Sequence, residues 1–208
     1  MIGPDQAAAL ERCLAAGGVA VFPSDTVYGL ACAPDSRGAI ERLYWLKGRA
    51  PDKPAAVMFF ALDSALDALP ELGPRTRTAL EALMPGPVTV LLRNPDRRFP
   101  LACGPDPSTL GLRVPKLEHG LREVRAPVLQ SSANRAGRPD PARLEDVPPA
   151  LRAAADLVLD GGELPGTPST VLDLRRFEHE GEWRILREGA ASADDVGAAL
   201  AGDTLSGP

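Results

Sequence analysis

Short apolar runs, each closed by proline, glycine or a small polar residue, recur along the chain and alternate with stretches of helical period. That alternation admits few architectures: strands of this length interleaved with helices pack as an α/β sheet covered by helices. Val19–Phe22, Ala55–Phe60, Val88–Leu92 and Leu110–Val114 read as strands. Val128–Gln130, Leu157–Leu159, Ser169–Leu174 and Trp183–Leu186 read as further ones. Pro4 opens a first helix with Ala8, Leu10, Cys13 and Leu14 on one face, ended by Gly17-Gly18. Asp35 or Ser36 caps a second, which carries Ile40, Leu43, Tyr44 and Leu46 and stops near Gly48. Pro74–Leu83 is a third, and Leu144–Ala155 a fourth that Pro148-Pro149 interrupts. The last opens at Ser192 with a near capping box and closes at Gly202. No composition break divides these elements, so residues 1–202 read as a single α/β domain and 203–208 as a frayed tail.

Composition narrows the classes. Of 208 residues, 44% are hydrophobic and 25% charged, which supports a packed core. A net charge of −5 argues against a nonspecific nucleic-acid coat. Cys13, Cys32 and Cys103 are odd in number and far apart, and His119 and His179 are the only histidines, so neither a disulfide framework nor a zinc cluster assembles. No apolar run reaches membrane-spanning length and the N-terminus has no signal-peptide pattern. A reduced, cytoplasmic protein with no membrane partner is the expectation.

Phosphate loops, dinucleotide fingerprints, nucleophile elbows and zinc-protease motifs are absent from the sequence. Polar knots at strand ends carry what chemistry there is. In "PSDTVYG", Ser24 and Thr26 alternate and face one side, which suits either a capped turn or a ligand lip. In "LKGRAPDKP", Lys47, Arg49 and Lys53 lie within seven residues, as helix-end cations or as a polyphosphate clamp. In "LQSSANRAGRPDP", Ser131, Ser132 and Asn134 follow a strand, as a self-satisfied turn or as anion and ribose ligands. Arg113, in "STLGLRVP" after Thr109, is costly inside an apolar strand unless paired, by Asp173 or by a substrate carboxylate. Ser169-Thr170 closes the set in "GTPSTVLDL".

Taken together and in this order, these segments resemble the YrdC-type family, the threonylcarbamoyl-AMP synthases. The resemblance rests on Pro23 to Leu30, Lys47 with Arg49, Pro85 to Thr89, Gly111 to Pro115, Ser132 to Asn134, Ser169 to Asp173, and Arg187 to Gly189. It covers roughly Ala8 to Leu200 and fits a short form without an additional C-terminal domain.

The resemblance implies a twisted mixed sheet flanked by helices around a concave cationic pocket. It implies an enzyme that forms threonylcarbamoyl-AMP and pyrophosphate from ATP, bicarbonate and L-threonine, with Mg2+ accompanying ATP and no protein-held metal. The product feeds a downstream threonylcarbamoyl transferase acting on tRNA. By the same resemblance, Lys47 and Arg49 are catalytic; Lys47, Arg49, Lys53, Thr109, Ser132, Asn134, Asp140 and Arg187 bind nucleotide; and Thr26, Arg113, Gln130 and Ser169 bind L-threonine. Arg113 is expected to wait for that substrate carboxylate without an internal ion pair. The sequence has Ala56-Val57-Met58 where many synthases place a histidine that contacts threonine. Lys53 to Met58 also resembles the YrdC-like domain of hydrogenase-maturation carbamoyltransferases. Two other functions fit the same residues: a paralogue adenylating another carbamate, and a module binding double-stranded RNA.

Overall fold

Among the described residues the apolar runs fold into nine strands: β1 (Ala20–Pro23), β2 (Tyr28–Cys32), β3 (Ala56–Met58), β4 (Val88–Arg93), β5 (Thr109–Arg113), β6 (Val128–Ser132), β7 (Leu157–Val158), β8 (Thr170–Arg176) and β9 (Glu182–Arg187). The computed structural model describes residues 2–117 and 120–201. All nine join one sheet in the order β7-β1-β2-β6-β3-β5-β4-β8-β9. Its pairing is mixed: β1/β7, β3/β5 and β4/β8 are parallel and the other neighbours antiparallel.

The helices are α1 (Pro4–Ala15), α2 (Arg37–Lys47), α3 (Leu62–Ala68), α4 (Pro74–Leu83), α5 (Pro149–Ala154), α6 (Phe177–Glu180) and α7 (Ala193–Ala201). Ser36 caps α2, its Oγ accepting from Ala39 N at 3.4 Å. Gly48, in the left-handed region at φ 63°, ends it, and Arg49 N returns to Tyr44 O at 2.9 Å. That closing turn throws Arg49 out of the helix toward the next loop. The face of α1 differs from the expected one: Ala7, Leu10 and Leu14 are buried, whereas Ala8 is exposed and Cys13 half-buried. The expected Leu144–Ala155 helix divides at its prolines into a 3-10 turn, Leu144–Asp146, and α5. Strand β2 and helix α3 were not expected from the sequence. Gly202 and the tail 203–208 lie outside the described residues, as does His119.

Alternation along the strands sends side chains into two cores. Val21, Leu30, Val57, Leu112, Leu129 and Leu172 enter the larger one, with Leu43 of α2 and Leu80 of α4. Fully burying one such leucine stabilises the fold by roughly 1.5–3 kcal/mol. Phe22, Met58, Phe60 and Val128 point the other way, onto Leu10 and Leu14 of α1 and Leu121. This second cluster covers only one end of its face. Beyond it the same face carries Gln130, Ala56, Gly111, Leu91, Thr89 and Val171, and there the sheet lies open as a groove.

Candidate active site

The groove floor is shaped by what its residues lack. Ala56 and Gly111 stand side by side at its centre, and a Cβ on Gly111 would come within 3.3 Å of Ala56 Cα. With no side chain larger than the Ala56 methyl above the sheet there, a cleft of about 560 Å³ opens, within the range of small-molecule sites. Arg49, Lys53, Arg113, Arg175 and Arg187 line it, opposed by Asp52, Asp106 and Asp140. A second hollow of about 500 Å³ adjoins it and shares Asp106, Thr109 and Arg175.

Of the residues singled out from the sequence, Arg49, Lys53, Thr109, Arg113, Gln130, Ser132, Asp140, Ser169 and Arg187 line this one groove. The helix-end loop brings Arg49 and Lys53. Arg49 donates to Pro54 O at 2.6 Å and lies 5.6 Å over the Tyr44 ring, while its Nε is buried without a partner. From β9, Arg187 donates to Ser169 O at 2.6 Å. Ser169 Oγ in turn shares a 2.9 Å hydrogen bond with Thr89 Oγ1 across the parallel β4/β8 pair. Thr109 Oγ1 donates to Asp106 at 2.9 Å.

Lys47, Asn134 and Thr26 occupy different ground. Lys47, expected in a phosphate clamp with Arg49 and Lys53, is only 3% exposed and is not among the residues that line the groove. Its ammonium donates to Ser132 O at 2.6 Å, Ser132 Oγ at 3.2 Å, Asn134 O at 3.1 Å and, by a shorter contact, Asn134 Oδ1. Asn134 Nδ2 reaches Arg138 O and, at 3.0 Å, Asp140 Oδ1. Lys47 therefore braces the Ser132-Ala133-Asn134 loop from inside. Burial, and then the charge of Arg49, push its ammonium down to about pKa 8, with Asp140 opposing.

The opening knot is a closed turn. Ser24 Oγ donates to Val27 O at 2.7 Å and accepts from the Thr26 and Val27 N–H groups. Thr26, 1% exposed, sits beside it with Oγ1 3.2 Å from Ser24 Oγ. The expectation that Arg113 has no internal ion pair is overturned. Its Nη2 donates to Asp25 Oδ1 at 2.5 Å and to Thr26 Oγ1 at 2.7 Å, with both charged side chains nearly buried. Asp173 is not its partner: Arg175 grips that carboxylate with Nε and Nη2, and Arg184 adds a further contact. Those contacts, led by Arg175, hold Asp173 at about pKa 2.

Met58 occupies the position compared with a family histidine, and it is wholly buried in the second apolar cluster. Packing against Phe22 and Phe60 there, it contributes no polar atom to the groove. Sequence reasoning assigned no role to Asp25, Thr89, Asp106 or Arg175. Thr89 stood inside a quoted motif and Asp25 between two noted hydroxyls, so both had a local signal; Asp106 and Arg175 had none.

Comparison with known proteins follows the same outline. A family model described as "Telomere recombination", for Sua5, YciO and YrdC proteins, matches residues 12–189. A protein named threonylcarbamoyl-AMP synthase from Chromohalobacter salexigens is 36% identical over 179 residues, which cover 84% of this chain and 93% of that protein. One of the same name from Pyrococcus abyssi is 27% identical over 186 residues, with 86% of this chain matched to 53% of its length. The crystal structure of P. abyssi Sua5 complexed with L-threonine superposes with a TM-score of 0.80, at 24% identity, over 96% of this chain and 58% of that one. At that identity the last likeness is one of fold.

Proposed function

This chain belongs to the Sua5/YciO/YrdC family, and we propose that its groove forms L-threonylcarbamoyl-AMP and pyrophosphate from ATP, bicarbonate and L-threonine. The observation that carries the reading is the composition of one cleft. Arg113, whose Nε has no acceptor, lines it together with the cations Arg49, Lys53 and Arg187, and Ala56 and Gly111 leave its floor low.

The threonine amine takes up CO2 derived from bicarbonate and loses a proton, giving an N-carboxylate. A carboxylate oxygen then attacks the α-phosphorus in line as the bond to pyrophosphate breaks. No covalent protein nucleophile is needed, so positioning and charge stabilisation supply the acceleration. In this account Arg113 holds the threonine carboxylate, with Gln130 and the Thr89–Ser169 hydroxyl pair at the amino-acid end. Thr26 acts through Arg113, which it contacts from behind. Arg49 and Lys53 hold the triphosphate, while Thr109, Ser132, Asp140 and Arg187 surround the nucleoside side. Lys47 and Asn134 serve by fixing the Ser132 loop.

Mg2+ arrives with ATP. A hard cation of this kind is coordinated chiefly by the phosphate oxygens of the nucleotide. The product passes to a threonylcarbamoyl transferase acting on tRNA. The test is pyrophosphate release with ATP, bicarbonate and Mg2+ across a panel of amino acids. Release that depends on L-threonine is expected; equal release without an amino acid, or none under any condition, refutes the assignment.

A further inference from the structure

We infer that Asp25 is a positioning residue for the amino-acid substrate: it fixes and charge-balances Arg113 so that the guanidinium's remaining donors face an incoming carboxylate. The inference rests on the proposed amino-acid site, and the observations behind it are geometric. Arg113 leaves β5 between Leu112 and Val114, both fully buried, and its strand neighbour in β3 is the apolar Met58. Nothing on those strands offers it an anion. Asp25 reaches it from the turn after β1, 88 residues away in sequence.

The carboxylate does two things from one place. Oδ1 accepts from Arg113 Nη2 at 2.5 Å, and Oδ2 accepts from the Lys116 main-chain N–H at 3.0 Å, just past the end of β5. Asp25 thus ties the turn to the strand that carries the arginine. Thr26 Oγ1 takes the second bond from the same Nη2, at 2.7 Å. Both acceptors lie on a single nitrogen. Nε is buried without an acceptor, and Arg113 is among the residues that line the groove. A planar guanidinium locked at one nitrogen cannot rotate away, so its other N–H groups keep a fixed direction. A buried cation with its own counter-ion is also ready to accept a second anion at little reorganisation cost.

The choice of Asp25 follows from this. Asp25→Asn keeps the shape and an acceptor oxygen but removes the charge; Asp25→Glu keeps the charge but moves it by a methylene. The structure predicts that Asp25→Asn raises the threonine KM by tenfold or more, with kcat and the ATP KM within about twofold. Asp25→Glu should fall between it and the wild type. A merely structural carboxylate would lower the melting temperature and the active fraction without this split. An unchanged threonine KM in folded Asp25→Asn overturns the inference. So does a lowered KM, which would make Asp25 a competitor of the substrate.

A separate readout isolates this claim from the proposed function. In spectra of 15N-arginine-labelled protein, assigned with Arg113→Lys, the Arg113 Nη resonances should show hindered rotation in the wild type and lose it in Asp25→Asn. Hindered rotation that persists in Asp25→Asn overturns the positioning role whether or not the wild type turns over threonine. Absence of threonine-dependent pyrophosphate in the wild type, with the spectra as predicted, refutes the proposed function alone.

Discussion

Replacing Arg113 by methionine should destabilise the protein, and the structure sets the amount. The substitution leaves Asp25, whose side chain is 7% exposed, with a single main-chain donor in place of a guanidinium. Breaking a buried pair from one side costs about 3–5 kcal/mol, because the surviving charge stays desolvated. In a domain of this size each kcal/mol lowers the melting temperature by roughly 2–4 °C, so a drop of about 6–20 °C is expected. Removing both charges should recover much of the loss. In a double-mutant cycle with Asp25→Asn, the coupling should exceed the 0.2–1 kcal/mol typical of exposed pairs. Urea unfolding of wild type, both single variants and the double variant measures it. A loss below about 1 kcal/mol in Arg113→Met, or additive single effects, would mean that the pair is solvated and refute its role as a buried ion pair.

Two further outcomes follow from the clamp and the loop. Arg49→Ala should raise the ATP KM by about 10- to 150-fold, the loss of a charge-assisted contact worth about 1.5–3 kcal/mol, and an unchanged ATP KM removes Arg49 from the site. Lys47 has a folded pKa of about 8, below its ordinary 10.5, so its unfolded form binds more protons between those values. The wild type should therefore gain unfolding free energy relative to Lys47→Met as pH rises from 8 to 10.5; a falling difference in urea titrations would show that burial does not depress this lysine.

Much of the fold could be read locally. Pro74–Leu83 is helical over the expected residues because its proline sits at the first turn and its apolar period is regular. Ser36 and Gly48 bound α2 by cap chemistry that a sequence displays. Strand β2 escaped because Tyr28-Gly29 reads as a turn. Its glycine answers to a tertiary demand, since a Cβ there would meet Gln130 Nε2 at 2.8 Å. Helix α3 escaped because it is seven residues long and Ala61 gives it no side-chain cap.

The site divides in the same way. The cost of Arg113 within an apolar strand was visible, but its counter-ion lies on a turn far away in sequence, and no spacing rule reaches that distance. Lys47 shows the limit of helix-end reasoning. A last-turn lysine can point to solvent or into the protein, and only the fold of Ser132 to Asn134 beside it decides. Gathering the polar knots into one groove depended on sheet order, which local patterns do not encode.

In the proposed reaction one groove joins bicarbonate carbon, threonine nitrogen and the α-phosphate of ATP. Supplying 13C-bicarbonate with ATP, Mg2+ and L-threonine, and weighing the nucleotide product by mass spectrometry, tests all three junctions at once. The expected product is an adenylate that carries threonine and one labelled carbon, formed in equal amount with pyrophosphate. An adenylate without the label, or one bearing a carbamoyl group without threonine, would contradict it.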